Sequence, residues 1–151
     1  MAALKWIAGG VVNTLLADNT AMATRAAGYY AISQVSAADV VIDNAANLDE
    51  YLAVAIVLGS WTPTVTDSIE LYLVYAPDGT NYESGSTSFL PTADRLWRSR
   101  LLSTDTTAAA KRVLLWGPIL PYKAKILWRW RGTNATASSG NSMTASTFNE
   151  G

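Results

Sequence analysis

Ser68–Gly85 reads SIELYLVYAPDGTNYESG, and this stretch decides the fold. Ile69, Leu71, Leu73 and Tyr75 fall on one face of a pleat, while Glu70, Tyr72 and Val74 fall on the other. Side chains alternate across a strand, so the pattern describes a strand packed on at least one side. Pro77, Asp78 and Gly79 then make a structural turn. Proline presets the turn, aspartate bonds its own backbone and glycine takes positive φ without penalty. These residues specify a β-rich domain and no reaction.

Downstream, Pro121–Arg131 shows the clearest alternation in the chain. Tyr122, Ala124, Ile126, Trp128 and Trp130 point one way, and Lys123, Lys125, Leu127, Arg129 and Arg131 the other. Upstream, Tyr51–Leu58 is apolar throughout, and its Val and Ile content favours a buried strand over a helical turn. Gly28–Val35, Val40–Ile42, Thr87–Pro91, Leu96–Leu102, Arg112–Trp116 and Ser142–Phe148 are further strand candidates, with Asn44–Asp49 a loop. Roughly eight short strands and no long helix predict an all-β fold, a single antiparallel β-sandwich of jelly-roll or Greek-key type. Residues 28–151 form that domain. Residues 1–27, rich in Ala, Gly, Asn and Thr, are expected to form an extended N-terminal arm lying on the domain or on another subunit. Val12, Leu15 and Leu16 suggest one side of a short helix there, although Gly9 and Gly10 oppose a long one.

Composition narrows the chemistry. The 151 residues are half hydrophobic and 15% charged, too apolar for a disordered chain and enough to bury a core. With no Cys and no His, thiolate and imidazole metal sites are absent, as are Ser-His-Asp and Cys-His catalysis. No catalytic residue, metal ligand or cofactor-binding residue is assigned, and the expectation is a protein that is not an enzyme. No apolar run reaches the roughly 18 residues of a membrane span, and Met1–Gly10 lacks the apolar region of a secretory signal. The expected protein is soluble and unprocessed.

Charge is unevenly distributed. Residues 1–94 carry two basic against ten acidic residues, and residues 95–151 carry nine basic against two acidic, so the net charges are −8 and +7. Interleaved strands would neutralise each other across the sheet; an acidic face and a basic face would instead suit head-to-tail contact or a charged partner. The first is favoured. Lys123, Lys125, Arg129 and Arg131 form a candidate basic surface, but Trp128 and Trp130 face away from it. Nucleic-acid binding, which needs rings among the cations, is therefore disfavoured. Asp78, Asn81 and Glu83 lack the ordered spacing of a calcium loop and read as a side-chain-bonded turn. Asn134-Ala-Thr136 fits the glycosylation triplet without a secretion signal to support it.

At three places the sequence resembles small structural proteins of tailed-phage virions. LYLVYAPDGTNYESG is similar to a strand, aspartate-glycine turn and tyrosine-acidic-glycine exit that recur in them. Val113–Asn134 follows their order of apolar strand, proline (Pro118, Pro121), basic alternating strand and Asn-Thr turn, leading to SGNSM. WIAGGVVNTLLADNT is similar to their arm, departing from it at Leu16 and Asp18. The resemblance implies a capsid decoration or cement protein on the phage head surface, made in the host cytoplasm. Its partners would be the major capsid protein and neighbouring copies of itself in a homo-oligomer. Trp6, Ile7, Val12, Leu15 and Leu16 of the arm are the candidate contacts. The alternative is a tail- or fibre-associated module recognising a receptor or glycan, with Trp61 or Trp97 in an exposed aromatic patch.

Overall fold

The computed structural model describes residues 6–8, 14–26, 28–35, 38–62, 64, 66–83, 95–102 and 109–150. The expected strand Thr87–Pro91 lies outside these residues, as does Val12. In chain order the short strands are β1 (Trp6–Ala8), β2 (Thr14–Ala17), β3 (Tyr30–Ile32), β4 (Gln34–Val35), β5 (Ala38–Asp39) and β6 (Val41–Asp43). The longer ones follow as β7 (Tyr51–Trp61), β8 (Ser68–Ala76), β9 (Leu96–Leu101), β10 (Ala109–Pro118), β11 (Lys123–Arg131) and β12 (Ser142–Glu150). Single-turn helices α1 (Asn19–Met22) and α2 (Asn44–Asn47) lie between β2 and β3 and between β6 and β7.

Two antiparallel sheets face each other. One runs β1-β12-β7-β10, with β2 also on β12; the other runs β3-β11-β8-β9, with β6 also on β11. Taking β1 with β2 and β3 with β6 as single interrupted strands, the orders become 1-8-3-6 and 2-7-4-5. That is the jelly roll, two Greek keys folded into one sandwich. The interruption of the second strand has a local cause. Ser33 bonds Ile126 of β11 through its amide and Val40 through its carbonyl, which lets Gln34–Val35 and Ala38–Asp39 pair outside the sheet as the β4–β5 ribbon.

Alternation places the core. Leu52, Val54, Ile56 and Leu58 of β7 meet Ile69, Leu71, Leu73 and Tyr75 of β8 and Ala124, Ile126, Trp128 and Trp130 of β11. On the far face of β8, Glu70, Tyr72 and Val74 are buried too, because Leu127, Ile32 and Tyr82 form a second small cluster over Tyr72 and Val74. The edge between β9 and β10 is closed by side chains. Arg98 donates its Nε–H to Trp116 O and Trp97 its Nε1–H to Pro118 O, each at 2.8 Å. A Cβ at Gly117 would displace the Arg98 guanidinium from this position.

The expected short helix around Leu15 and Leu16 is a strand. Leu15 pairs with Thr144 and Ala17 with Met143, because the open edge of β12 satisfies backbone groups that so short a helix would leave unpaired. The helix starts instead after Asp18, whose carboxylate caps the Ala21 amide at 2.9 Å. Leu16, Ala17 and Met22 are fully buried in the main core. Thr136 Oγ1 donates to Met22 O and accepts from the Arg25 amide. The described part of residues 1–27 is thus built into its own domain.

Two outcomes follow from these contacts. Leu16→Ala should cost about 3 kcal/mol in urea denaturation, the usual loss for a buried leucine, whereas a segment lying off the domain would leave the midpoint unchanged. Gly59→Ala should cost on the order of 3 kcal/mol, because its Cβ would overlap the Ser139 carbonyl while the Gly59 amide is held by Asn141 Oδ1 at 2.9 Å. An unchanged midpoint would show that the 137–141 turn yields freely.

Candidate functional site

On the outer face of the β1-β12-β7-β10 sheet an apolar patch lies beside Ser142, Thr144, Ser146 and Arg112. Cross-strand pairing sets Phe148 beside Tyr51, Ser146 and Trp116 on either side of Ala53, and Thr144 and Leu114 on either side of Ala55. Alanines on the central strand make a shallow floor, and Leu114 and Trp116 stand along one side of it, 62% and 52% exposed. Tyr51 stacks on Phe148 with ring centres 5.5 Å apart and lies 6.3 Å from the Trp116 ring. Leu120, also exposed, lies just beyond the end of β10. Contiguous exposed apolar surface of this kind marks interaction sites in soluble proteins.

The basic row lies on the outer face of the other sheet, and each cation already faces a carboxylate. Lys123 Nζ lies 3.7 Å from Asp43, Lys125 Nζ 3.0 Å from Asp39, Arg129 3.5 Å from Glu70 and Arg131 3.0 Å from Glu70. All the carboxylates come from the acidic first part of the chain, so interleaving accounts for the charge asymmetry over these residues. Lys125 also sits 4.3 Å over the Tyr82 ring. Burial pushes the Asp39 carboxyl up, but hydrogen bonds from Gln34 and Lys125 outweigh it and hold the group below its usual value. Glu70 further accepts from Tyr72 Oη at 2.9 Å, and burial together with that carboxylate pushes the phenol up.

The remaining sequence candidates have structural partners. Asp78 Oδ1 accepts from the Thr80 and Asn81 amides and Oδ2 from Asn81 Nδ2, which holds its carboxyl low and makes the Pro77–Asp78–Gly79 turn self-bonded. Gly79 has φ of 77°. Glu83 turns away to Arg95 at 2.7 Å. Thr136 of the glycosylation triplet is buried, and Asn134 is exposed. Trp97 is partly buried, with Arg98 stacked 5.4 Å above it. Of the arm candidates, Trp6 and Ile7 pair along the backbone with Glu150 and Asn149, and Leu16 is core; the side chains of Trp6, Ile7, Leu15 and Trp61 lie outside the described residues. Among the described residues no group of three or more acidic, His or Cys side chains is placed to hold a metal, and no helix is long and apolar enough to cross a membrane.

Beside Arg129 and Arg131 a broad cleft of about 650 Å³ opens between the 64–68 and 131–133 segments. Its wall depends on Asp67, which is buried and accepts from the Thr64 amide at 2.8 Å, Thr64 Oγ1 at 2.6 Å and the Thr133 amide at 2.9 Å. Burial raises the Asp67 carboxyl, but these bonds prevail and its net shift is downward. A carboxyl lowered on folding stabilises the fold above its unfolded value and loses that contribution as pH falls through the folded value.

The sequence reading missed the apolar patch. Its signal was the run VLLW in β10, apolar at consecutive positions where a one-sided strand would alternate. No family model matches the chain, and no curated protein is significantly similar to it.

Asp67→Ala is expected to cost about 2 kcal/mol at neutral pH, as for hydrogen bonds to a charged group. The deficit should shrink as pH falls below the ordinary 3.8 of an aspartate. Denaturation midpoints of both proteins across acid pH check this, and a deficit independent of pH would show that the carboxylate charge contributes nothing.

Proposed function

We propose that this chain is a non-enzymatic virion structural protein, a decoration or cement protein that binds the surface of a phage head and braces its subunits. The observation that carries this reading is the apolar patch in which Leu114 and Trp116 stand exposed beside the half-buried Tyr51 and Phe148. Such a patch suits burial against a partner, where aromatic side chains supply much of the contact energy. The resemblance to small phage structural proteins supplies the partner, the major capsid protein together with neighbouring copies of this chain. The jelly-roll order adds a fold-level analogy, since viral capsid domains are among the proteins that use it. The arm acts in cis in this reading, joining the front of the chain to β12, so the sheet face takes over the docking role.

Lectin domains share the same architecture, and the exposed Trp116 ring beside Tyr51 favours a second reading, a glycan-recognising module of a tail or fibre. A single set of variants separates the two. Heads assembled from the major capsid protein of the same phage should bind the purified chain saturably in co-sedimentation. Leu114→Asp should weaken that binding at least about tenfold without lowering the melting temperature, because Leu114 is exposed. Failure of the unaltered protein to pellet with heads, with glycan-array binding lost in Trp116→Ala, would replace the decoration role with the glycan role.

A further inference from the structure

The cleft beside Arg129 and Arg131 lies on the opposite sheet from the apolar patch. Arg131, Ser68 and Leu101 stand directly across from one another on β11, β8 and β9, and the next row on that face is Arg129, Glu70 and Ser99. Arg129 and Arg131, two residues apart on one strand, project side by side roughly 7 Å apart. Their repulsion is held by Glu70, whose carboxylate is only 10% exposed and is anchored from within by Tyr72. Two guanidiniums share one carboxylate, so a net positive charge remains.

The donors are also unevenly used. Arg131 spends one N–H on Glu70 at 3.0 Å, Arg129 reaches it only at 3.5 Å, and the Arg129 Nε–H is buried without an acceptor. Around them the cleft presents hydroxyls from Thr66 and Ser68, and among the described residues no carboxylate lines it. Two planar forks beside neutral hydroxyl donors fit an oxyanion, and a carboxylate best, because guanidinium pairs with it in parallel bonds. Leu101, 66% exposed, supplies an apolar shelf at the rim, and among the described residues no aromatic ring lines the cleft for a sugar to stack on.

We propose that this cleft is a docking site for an acidic peptide segment of a partner protein, a carboxylate seating between Arg129 and Arg131 and a neighbouring aliphatic side chain resting on Leu101. The proposal deepens the decoration reading by giving the second sheet a polar contact, and its test does not need heads. Glu70 is a positioning residue, setting the spacing of the two guanidiniums and limiting the charge available.

The experiment is an NMR titration of the isotope-labelled full chain with the blocked peptide acetyl-Glu-Leu-Glu-amide at low salt, and in parallel with a galacturonic acid trimer. The peptide should saturate with a dissociation constant on the order of 1 mM, shifting the Arg129 and Arg131 side-chain N–H signals and the amides of Ser68, Leu101 and Thr133. Arg131→Gln, at an exposed side chain, should weaken it at least about fivefold, and added salt should weaken it further. Ser68→Glu, which places a carboxylate in the cleft, should abolish binding, whereas Glu70→Gln should strengthen it. Unchanged amide dispersion outside the cleft shows that each variant is folded. Absence of saturation, shifts centred elsewhere, or a trimer that binds as tightly as the peptide would overturn the proposal. If heads bind the unaltered protein and Arg131→Gln equally while the peptide fails, this inference falls and the decoration reading stands.

Discussion

The pairing of β8 with β11 is the constraint on which the rest depends. From Ser68 opposite Arg131 to Ala76 opposite Lys123 the ladder runs without a bulge. On its inner side it sets Ile69 beside Trp130, Leu71 beside Trp128 and Leu73 beside Ile126, which is the centre of the core. On its outer side the same register sets Glu70 beside Arg129 and Tyr72 beside Leu127. A slip by one residue would turn two tryptophans to solvent and four cations into an apolar interior. Both faces therefore select the same alignment, and that alignment fixes where every other strand can attach.

The two sheets meet solvent in different ways as a result. The β11 sheet carries cross-strand ion pairs on its outside, individually weak where exposed but dense enough to satisfy most of the charge there. Glu70, more deeply set, is the exception, since losing it would strand two guanidiniums. Among the described residues the β7 sheet carries no such ladder. Its central strand is outwardly small, and bulky apolar groups are concentrated on the strand next to it. One face pairs most of its charge within itself, apart from the two arginines that share Glu70, and the other keeps apolar area that burial would stabilise at about 25 cal/mol per Å².

Much of this was legible in the sequence. Strict alternation in 69–75 and 124–131 identified the two central strands and their core sides, because a period of two has one structural solution, whereas Tyr122, read with the core side, is exposed just before β11. The Pro77–Asp78–Gly79 turn was equally readable, its bonds being local. What local pattern could not supply was tertiary. Leu16 resembles a helix-forming residue until β12 is there to pair with its segment. Glu70 resembles a wet position until Arg129, Arg131 and Tyr72 close over it. Leu114 and Trp116 read simply as strand interior, because an all-apolar run does not say which side the second sheet will cover. The cleft lay furthest from reach, since Ser68, Leu101 and Arg131 come from three separate strands.

β12 occupies residues 142–150, yet it lies between β1 and β2 on one side and β7 on the other, all made before residue 62. Until it inserts, β7 has an open edge, and the first strands have nothing to pair with. The sheet therefore cannot assemble progressively during synthesis, and its closure carries the entropy of joining segments separated by most of the chain. Topologies dominated by such distant pairings fold on the slow end of the scale, in milliseconds to seconds. During that interval the apolar strand YLAVAIVL has an unpaired edge, which makes β7 the segment most exposed to association between unfinished chains.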